Sequence, residues 1–216
     1  MPRVPGLLLL RHAQSRWNAE GRWQGWADPP LSTEGEGQTR RAAVRLAGEE
    51  PFHLVISSDL IRARRTAALL AGHLELAVPR LVEPGLREYN VGEWTGFTLE
   101  QIESQWPGAV SRFSQGEIAP PGGEPRAEFD ARVLAAGRRV AARAEAGGFD
   151  RLLIVAHGGV VRSLARAVGL AEYRVGHLAG YRGTHAEGGL LPTERVNLLD
   201  PSVAADGGEA AFVPAV

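Results

Sequence analysis

Two short apolar runs that each end in a histidine constrain this chain more than any other feature. Leu7-Leu8-Leu9-Leu10 leads into Arg11-His12, and Leu152-Leu153-Ile154-Val155-Ala156 leads into His157-Gly158-Gly159. Runs of Leu, Ile and Val bounded by polar residues read as strands buried on both faces, the pattern of a parallel sheet covered by helices. Open sheets of this kind place ligand sites beyond the carboxyl ends of their strands. Both histidines therefore arrive where a ligand would bind. For either one alone, the competing reading is a hydrogen-bonded core residue or a helix cap.

Helix and strand signals alternate along the chain, with no internal repeat. A polar loop over 13–31 holds Trp17, Trp23 and Trp26 and closes with Asp28-Pro29-Pro30. A helix is expected from Ser32 or Thr33 to about Ala47, with Thr33 and Glu36 at capping-box spacing. Phe52–Ser57 reads as the second strand, and Ser57-Ser58-Asp59 offers caps for a helix reaching about Leu74. A third strand is expected over Ala77–Val82, then an irregular stretch over Leu86–Trp94. Thr98 and Gln101 cap a helix that Pro107 stops. Pro125 suits the first position of a long helix ending at Gly147-Gly148. After strand 151–156 and a helix from about Gly159 to Val168, residues 171–193 read as loop, Arg195–Leu199 as a short strand and 200–216 as an irregular tail. The expected architecture is a single α/β domain over 1–216, a three-layer α/β/α sandwich on a mostly parallel sheet.

Composition removes whole reaction classes. There is no cysteine, so thiolate nucleophiles, disulfides, iron–sulfur ligation and Cys-based zinc sites are excluded. All 24 basic residues are arginine, which excludes lysine Schiff bases and a P-loop lysine. An anion bound here must be held by guanidinium groups, histidines, helix N-termini or backbone amides. A net charge of −1 argues against nucleic acid as a partner. The apolar run near the start is cut by Pro5 and Gly6 and ends at Arg11, so neither a membrane span nor a signal segment is expected, and the expected location is the cytoplasm.

The residues near the strand ends suit phosphoryl chemistry. A neutral imidazole at His12 can attack phosphorus in line, because Arg11 beside it neutralises phosphoryl oxygens that would repel a nucleophile. Arg62, in the first turn after the second strand, supplies another guanidinium fork, and His157 a further cationic donor. The amides of Gly158 and Gly159 open a helix and offer N–H groups to an anion. The departing alkoxide needs a proton, for which Glu88 is the candidate. Each residue also has a plain reading: Arg62 sits in a row with Arg64 and Arg65, and Glu88 stands beside Arg87 as in a surface ion pair.

The order of these pieces resembles the histidine phosphatase superfamily, the phosphoglycerate mutase-like group. Its first signature matches Arg11-His12-Ala13-Gln14-Ser15-Arg16-Trp17-Asn18, and its second Ser57-Ser58-Asp59-Leu60-Ile61-Arg62-Ala63-Arg64-Arg65-Thr66-Ala67. Its third matches Leu86-Arg87-Glu88 with Gly92-Glu93-Trp94-Thr95-Gly96, and its fourth Val155-Ala156-His157-Gly158-Gly159. The resemblance implies that His12 carries the phosphoryl group, that Arg11, Arg62 and His157 hold it, and that Glu88 donates the proton and then activates water. Asn18 and Gly158 match positions lining the phosphate, and Gln24 a loop that faces substrate. No metal or organic cofactor is implied. Ala13 stands where the signature carries glycine, which is harmless only if φ there is negative.

The expected activity is hydrolysis of a small phosphomonoester: a sugar phosphate, phosphoglycerate or a glycoside of it, or a ribazole phosphate. A bisphosphoglycerate-primed phosphoglycerate mutase is the alternative, but the basic, tyrosine-containing insert of such mutases has no counterpart between Trp94 and Pro125. A non-catalytic phospho-ligand binder is a second alternative. Trp17, Trp23, Trp26 and Trp106 are candidates for pocket walls, and His177 and His185 are expected at the surface. No membrane partner is implied, and a homodimer is left open.

Overall fold

The computed structural model describes residues 6–200 and 202; the tail expected over 200–216 otherwise lies outside them. Among the described residues the strands are β1 (Gly6–Arg11), β2 (Leu54–Ser57), β3 (Arg80–Val82), β4 (Arg151–Ala156), β5 (Ala179–Ala186) and β6 (Gly189–Asn197). The helices are α1 (Arg16–Ala19), α2 (Thr33–Leu46), α3 (Ile61–His73), α4 (Leu99–Gln105), α5 (Ala109–Gln115), α6 (Arg126–Ala146) and α7 (Gly158–Ala167). No helix among them is long and apolar enough to cross a membrane.

One sheet carries the fold, in the order β3-β2-β4-β1-β5-β6. The first four strands are parallel, β5 pairs antiparallel with β1, and β6 pairs antiparallel with β5. The two histidine-bearing strands are neighbours, with Arg11 opposite Ala156 in the register. His12 and His157 therefore leave the same sheet edge side by side.

Alternate residues of the uniformly apolar strands feed two cores. Leu7, Leu9, Leu54, Ile56, Leu152 and Ile154 pack on one face with Phe129, Val133, Ala136 and Val140 of α6 and Val160, Val161 and Leu164 of α7. Leu8, Leu10, Val55, Leu153 and Val155 pack on the other with Ala42, Ala43 and Leu46 of α2 and Ala63, Ala67 and Leu70 of α3. This is the expected three-layer sandwich, and its double-sided burial explains why the strands lack polar alternation.

Several local expectations are refined. The Thr98–Gln101 box caps α4 reciprocally, whereas α2 is capped by Ser32, whose Oγ accepts from Gly35 N–H, one residue before the expected box. Pro125 is the N-cap of α6 rather than its first residue. The Ser57-Ser58-Asp59 cap does not form: α3 has no cap from its own N-terminal segment, and Asp28 Oδ1 accepts from Ile61 N–H across 2.6 Å instead. The third strand is shorter than 77–82.

The larger correction is 171–193, expected as loop. Most of it is the β5–β6 hairpin, with β6 extending back to Gly189 from the short strand expected over 195–199. Four glycines (Gly180, Gly183, Gly188 and Gly189) and Pro192 hide it, since they lower strand propensity. Gly180 is there for contact: a Cβ at this position would stand 1.9 Å from the Leu9 carbonyl oxygen on β1. That backbone cannot rotate aside, so Gly180→Ala is expected to destabilise the protein by about 1–3 kcal/mol or more. Urea unfolding measures this, and unchanged stability would contradict the close strand approach.

Candidate active site

His12 is positioned by three contacts at the strand end. His12 N–H donates to the Ala156 carbonyl at 3.0 Å, continuing the β1–β4 ladder one residue past the strand. His12 Nδ1 lies 2.6 Å from the Ala13 carbonyl oxygen, an acceptor only, so Nδ1 carries the proton and donates. The lone pair is thereby left on Nε2. Ala13 N–H in turn donates to Thr66 Oγ1 at 3.1 Å, fixing that peptide. Positive φ among non-glycine residues occurs at Glu75 and Leu178, not at Ala13, so alanine fits where the signature has glycine.

Arg11, His12 and Arg62 line one cleft with Asn18, Gln24 and Glu88; its empty volume is about 510 Å³. The remaining wall is Trp23, Gly25, Tyr89, Val91, Phe113 and Arg162. Backbone carbonyls hold the guanidinium groups in place: Arg11 donates to Val175, and Arg62 to Ala27 and Gly25. Arg62 Nε is buried with no partner among the described residues. Burial lowers both arginines to about 10, with Glu88 opposing the shift, so both stay cationic at neutral pH. Arg65, by contrast, is exposed and pairs with Glu36.

Asn18 Oδ1 accepts from Ser15, closing the α1 capping box, and its buried Nδ2, in the cleft wall, has no hydrogen-bond partner among the described residues. Gln24 Oε1 accepts from Ser15 Oγ at 2.7 Å. Gly158 opens α7 next to the cleft, where a methyl would stand 3.4 Å from Arg162 Nη1 and 3.7 Å from Arg11 Cδ.

His157 is wholly buried, its ring edge-on to His12 with centroids 5.1 Å apart. Ser58 Oγ lies 2.6 Å from its Nε2, so the serine expected as a cap orients the second histidine instead. Expected as a cation, His157 is held neutral in the unliganded site by burial and by Arg62 and Arg11, which push its pKa well below the usual value. His12 is depressed the same way, first by burial, then by Arg62, His157 and Arg11. An unprotonated His12 is the form a nucleophile requires.

Glu88 pairs not with Arg87, which engages Asp59, but with the backbone. Its Oε1 accepts from Tyr89 N–H at 2.9 Å and its Oε2 from Gly159 N–H at 3.0 Å. The Gly159 amide thus serves the carboxylate rather than an anion. The Glu88 carbonyl is held from outside by Trp26 Nε1 and by Arg132 of α6.

Sequence reasoning missed Arg162, Arg132, Ser58 and His177. His177, expected at the surface, lies with its ring 6.3 Å from His12, and burial near Arg11 and Arg174 lowers its pKa to about 3. Leu178, with φ +53 and its N–H on the Arg11 carbonyl, turns the chain there; no local sequence signal marks such a residue. His185 is also buried. Of the four tryptophans expected as pocket walls, Trp23 lines the cleft, while Trp106 packs on Trp94 and Phe97 and Trp17 lies near Gly96. Among the described residues, no cluster of three or more His, Asp or Glu could hold a metal ion.

A neutral histidine with one ring nitrogen locked shares the cleft with buried guanidinium groups and a carboxyl group. The chain belongs to the histidine phosphatase superfamily, branch 1, whose family profile matches residues 7–181. It is 38% identical over 172 residues to a glucosyl-3-phosphoglycerate phosphatase of Mycobacterium tuberculosis, covering 77% of this chain and 76% of that one. It is 35% identical over 175 residues to a 2,3-bisphosphoglycerate-dependent phosphoglycerate mutase of Methylobacterium radiotolerans, covering 78% and 82%. A solved mycobacterial glucosyl-3-phosphoglycerate phosphatase in complex with VO3 superposes with a TM-score of 0.74 at 30% identity, over 87% of this chain and 95% of that one.

Two outcomes test this geometry. His12, His157 and His177 all bind protons more weakly folded than unfolded, where a histidine titrates near 6.5. The unfolded chain therefore takes up more protons below about pH 6.5, and folding stability falls as pH drops through that value, by up to about 1.4 kcal/mol per pH unit for each histidine. Melting temperature in phosphate-free buffer is expected to be flat from pH 8 to 7 and to fall from pH 6.5 to 5. His177→Asn should make that fall shallower, and a flat profile would contradict the buried neutral histidines.

The second concerns Gly159, where a Cβ would lie 2.1 Å from Glu88 Oε1. Gly159→Ala should displace the carboxyl group while sparing the fold. Turnover of alkyl phosphates should drop by about 10²–10⁴, the range for losing a general acid, and that of p-nitrophenyl phosphate, which needs no proton, by much less. Equal losses on both would remove Glu88 from the donor role.

Proposed function

We propose that this protein hydrolyses small phosphomonoesters through a phosphohistidine on His12. The observation that carries the reading is the fixed tautomer: Nδ1 is committed to the Ala13 carbonyl, so Nε2 can attack. Arg11 and Arg62, anchored on carbonyls, stabilise charge on the transferring phosphoryl group, with His157 and Asn18 Nδ2 as further donors. Glu88 protonates the departing alkoxide; in the second step it takes a proton from water, which attacks phosphorus and restores His12. The substrate is a small phosphorylated metabolite of the kind its relatives are named for.

Hydrolysis is favoured over isomerisation by the segment joining Trp94 to Pro125. Its only basic residue is Arg112, and it has no tyrosine. Arg112 is exposed and pairs with Glu117, so the segment contributes Phe113 to the cleft and no cation.

Rapid quench with 32P-labelled substrate should trap acid-labile phosphate on His12, and His12→Ala should release phosphate no faster than buffer. Arg62→Ala should slow turnover by about 10²–10³, the scale of one lost transition-state donor, while Arg65→Ala stays near wild type. Conversion of 3-phosphoglycerate plus bisphosphoglycerate primer to 2-phosphoglycerate without free phosphate would instead assign mutase activity.

A further inference from the structure

Three adjacent strand ends carry Ser58, His157 and His12 side by side. Ser57 of β2 lies opposite Val155 of β4, and Ala156 of β4 opposite Arg11 of β1. The ladder runs one bond past each outer strand, from Ser58 N–H to the Val155 carbonyl at 3.2 Å and from His12 N–H to the Ala156 carbonyl at 3.0 Å. The backbone of β4 thus places both neighbours of His157, and Ser58 Oγ comes to 2.6 Å from His157 Nε2. Both side chains are fully buried.

Hydrogen-bond accounting decides which of the two donates. A buried hydroxyl carries one proton that needs an acceptor. The contact with His157 Nε2 is the one hydrogen bond of Ser58 Oγ among the described residues, so the serine proton goes to Nε2. Nε2 then holds the ring's lone pair and Nδ1 its proton. The reverse assignment would leave two buried groups unsatisfied, the serine proton and the Nδ1 lone pair. An imidazolium would strand the serine proton as well, and burial with Arg62 and Arg11 nearby disfavours that form.

What remains is a buried donor, because His157 Nδ1 has no hydrogen-bond partner among the described residues. Its ring stands edge-on to His12, with centroids 5.1 Å apart and planes at 66°. Asn18 Nδ2 and Arg62 Nε, from residues lining the cleft with His12, are buried donors of the same kind. Both histidines therefore carry their proton on Nδ1, to opposite effect. At His12 the Ala13 carbonyl engages the proton and a lone pair is left; at His157 the Ser58 hydroxyl engages the lone pair and a proton is left. We infer that Ser58 is a positioning residue, whose hydroxyl makes His157 a neutral Nδ1–H donor to the phosphoryl group that His12 receives. This rests on the hydrolytic reading above and assigns the form of one of its donors. An imidazolium in that place would be an acid beside the lone pair of the nucleophile; a neutral ring donates a hydrogen bond and keeps its proton.

Nitrogen NMR of protein labelled with 15N-histidine reads the tautomer without turnover, with His157 assigned by comparison with His157→Ala. At pH 7 the free wild type should show Nδ1 protonated and Nε2 unprotonated. Inorganic phosphate should move the Nδ1 proton downfield and leave Nε2 unprotonated. In Ser58→Ala the proton should divide between the two nitrogens. Its kcat on p-nitrophenyl phosphate should fall by about 10–100-fold with little change in KM, less than the roughly 10²–10³ of losing a transition-state donor outright. Ser58→Thr keeps the hydroxyl and should recover both tautomer and rate; melting curves confirm folding, and the wild-type tautomer decides even if a variant does not fold. A proton on Nε2 in the wild type, or a folded Ser58→Ala that keeps either the Nδ1–H tautomer or the full rate, would overturn the inference. A Ser58-dependent Nδ1–H that engages phosphate in a protein hydrolysing no phosphomonoester would refute hydrolysis alone. Hydrolysis by a wild type with Nε2 protonated would refute the role of Ser58 alone.

Discussion

The contact on which the site depends is the one between His12 Nδ1 and the carbonyl of Ala13. It decides which ring nitrogen carries the proton, and so whether a nucleophile exists at all. Much of the surrounding structure serves to hold that carbonyl and that ring. The β1–β4 ladder places the His12 backbone, Thr66 of α3 binds the Ala13 amide, and His157 lies edge-on to the ring from the adjacent strand end. Two neighbouring parallel strands are thereby made to deliver two imidazoles at van der Waals range.

A buried imidazole ringed by guanidinium groups is also electrostatically constrained. Burial adds a desolvation penalty for the imidazolium form, and the arginines beside it repel the same form, so both histidines are held neutral. The arginines themselves are tied to carbonyls of Val175, Gly25 and Ala27, which oppose their mutual repulsion. For the proposed reaction this means preorganisation: the donors are already oriented before a phosphoryl dianion would bind, and little reorganisation is left.

Much of this was legible in the sequence because the strongest signals are local. Unbroken apolar runs mark strands buried on both faces, and the residues at their ends are by construction at the sheet edge; that is why Arg11, His12 and His157 could be found together. Arg62 and Glu88 were separable from their charged neighbours only through the order of the motifs. What stayed hidden depends on contacts between distant segments. Asp28 caps α3 from another loop, Arg132 reaches from α6 to the Glu88 carbonyl, and His177 arrives beside His12 through a left-handed turn at Leu178. The β5–β6 hairpin was obscured by its glycines, of which Gly180 is required by close approach to β1 and Gly183 by close approach to β6.

The most direct test is the protonation state of His12 itself, read by nitrogen NMR of protein labelled with 15N-histidine, assigned by comparison with His12→Ala. In the free protein at pH 7, Nε2 is expected to show the shift of an unprotonated ring nitrogen and Nδ1 that of a protonated one, both unchanged down to pH 5.5. A proton on Nε2, or an imidazolium appearing in that range, would contradict the arrangement on which the proposed chemistry stands.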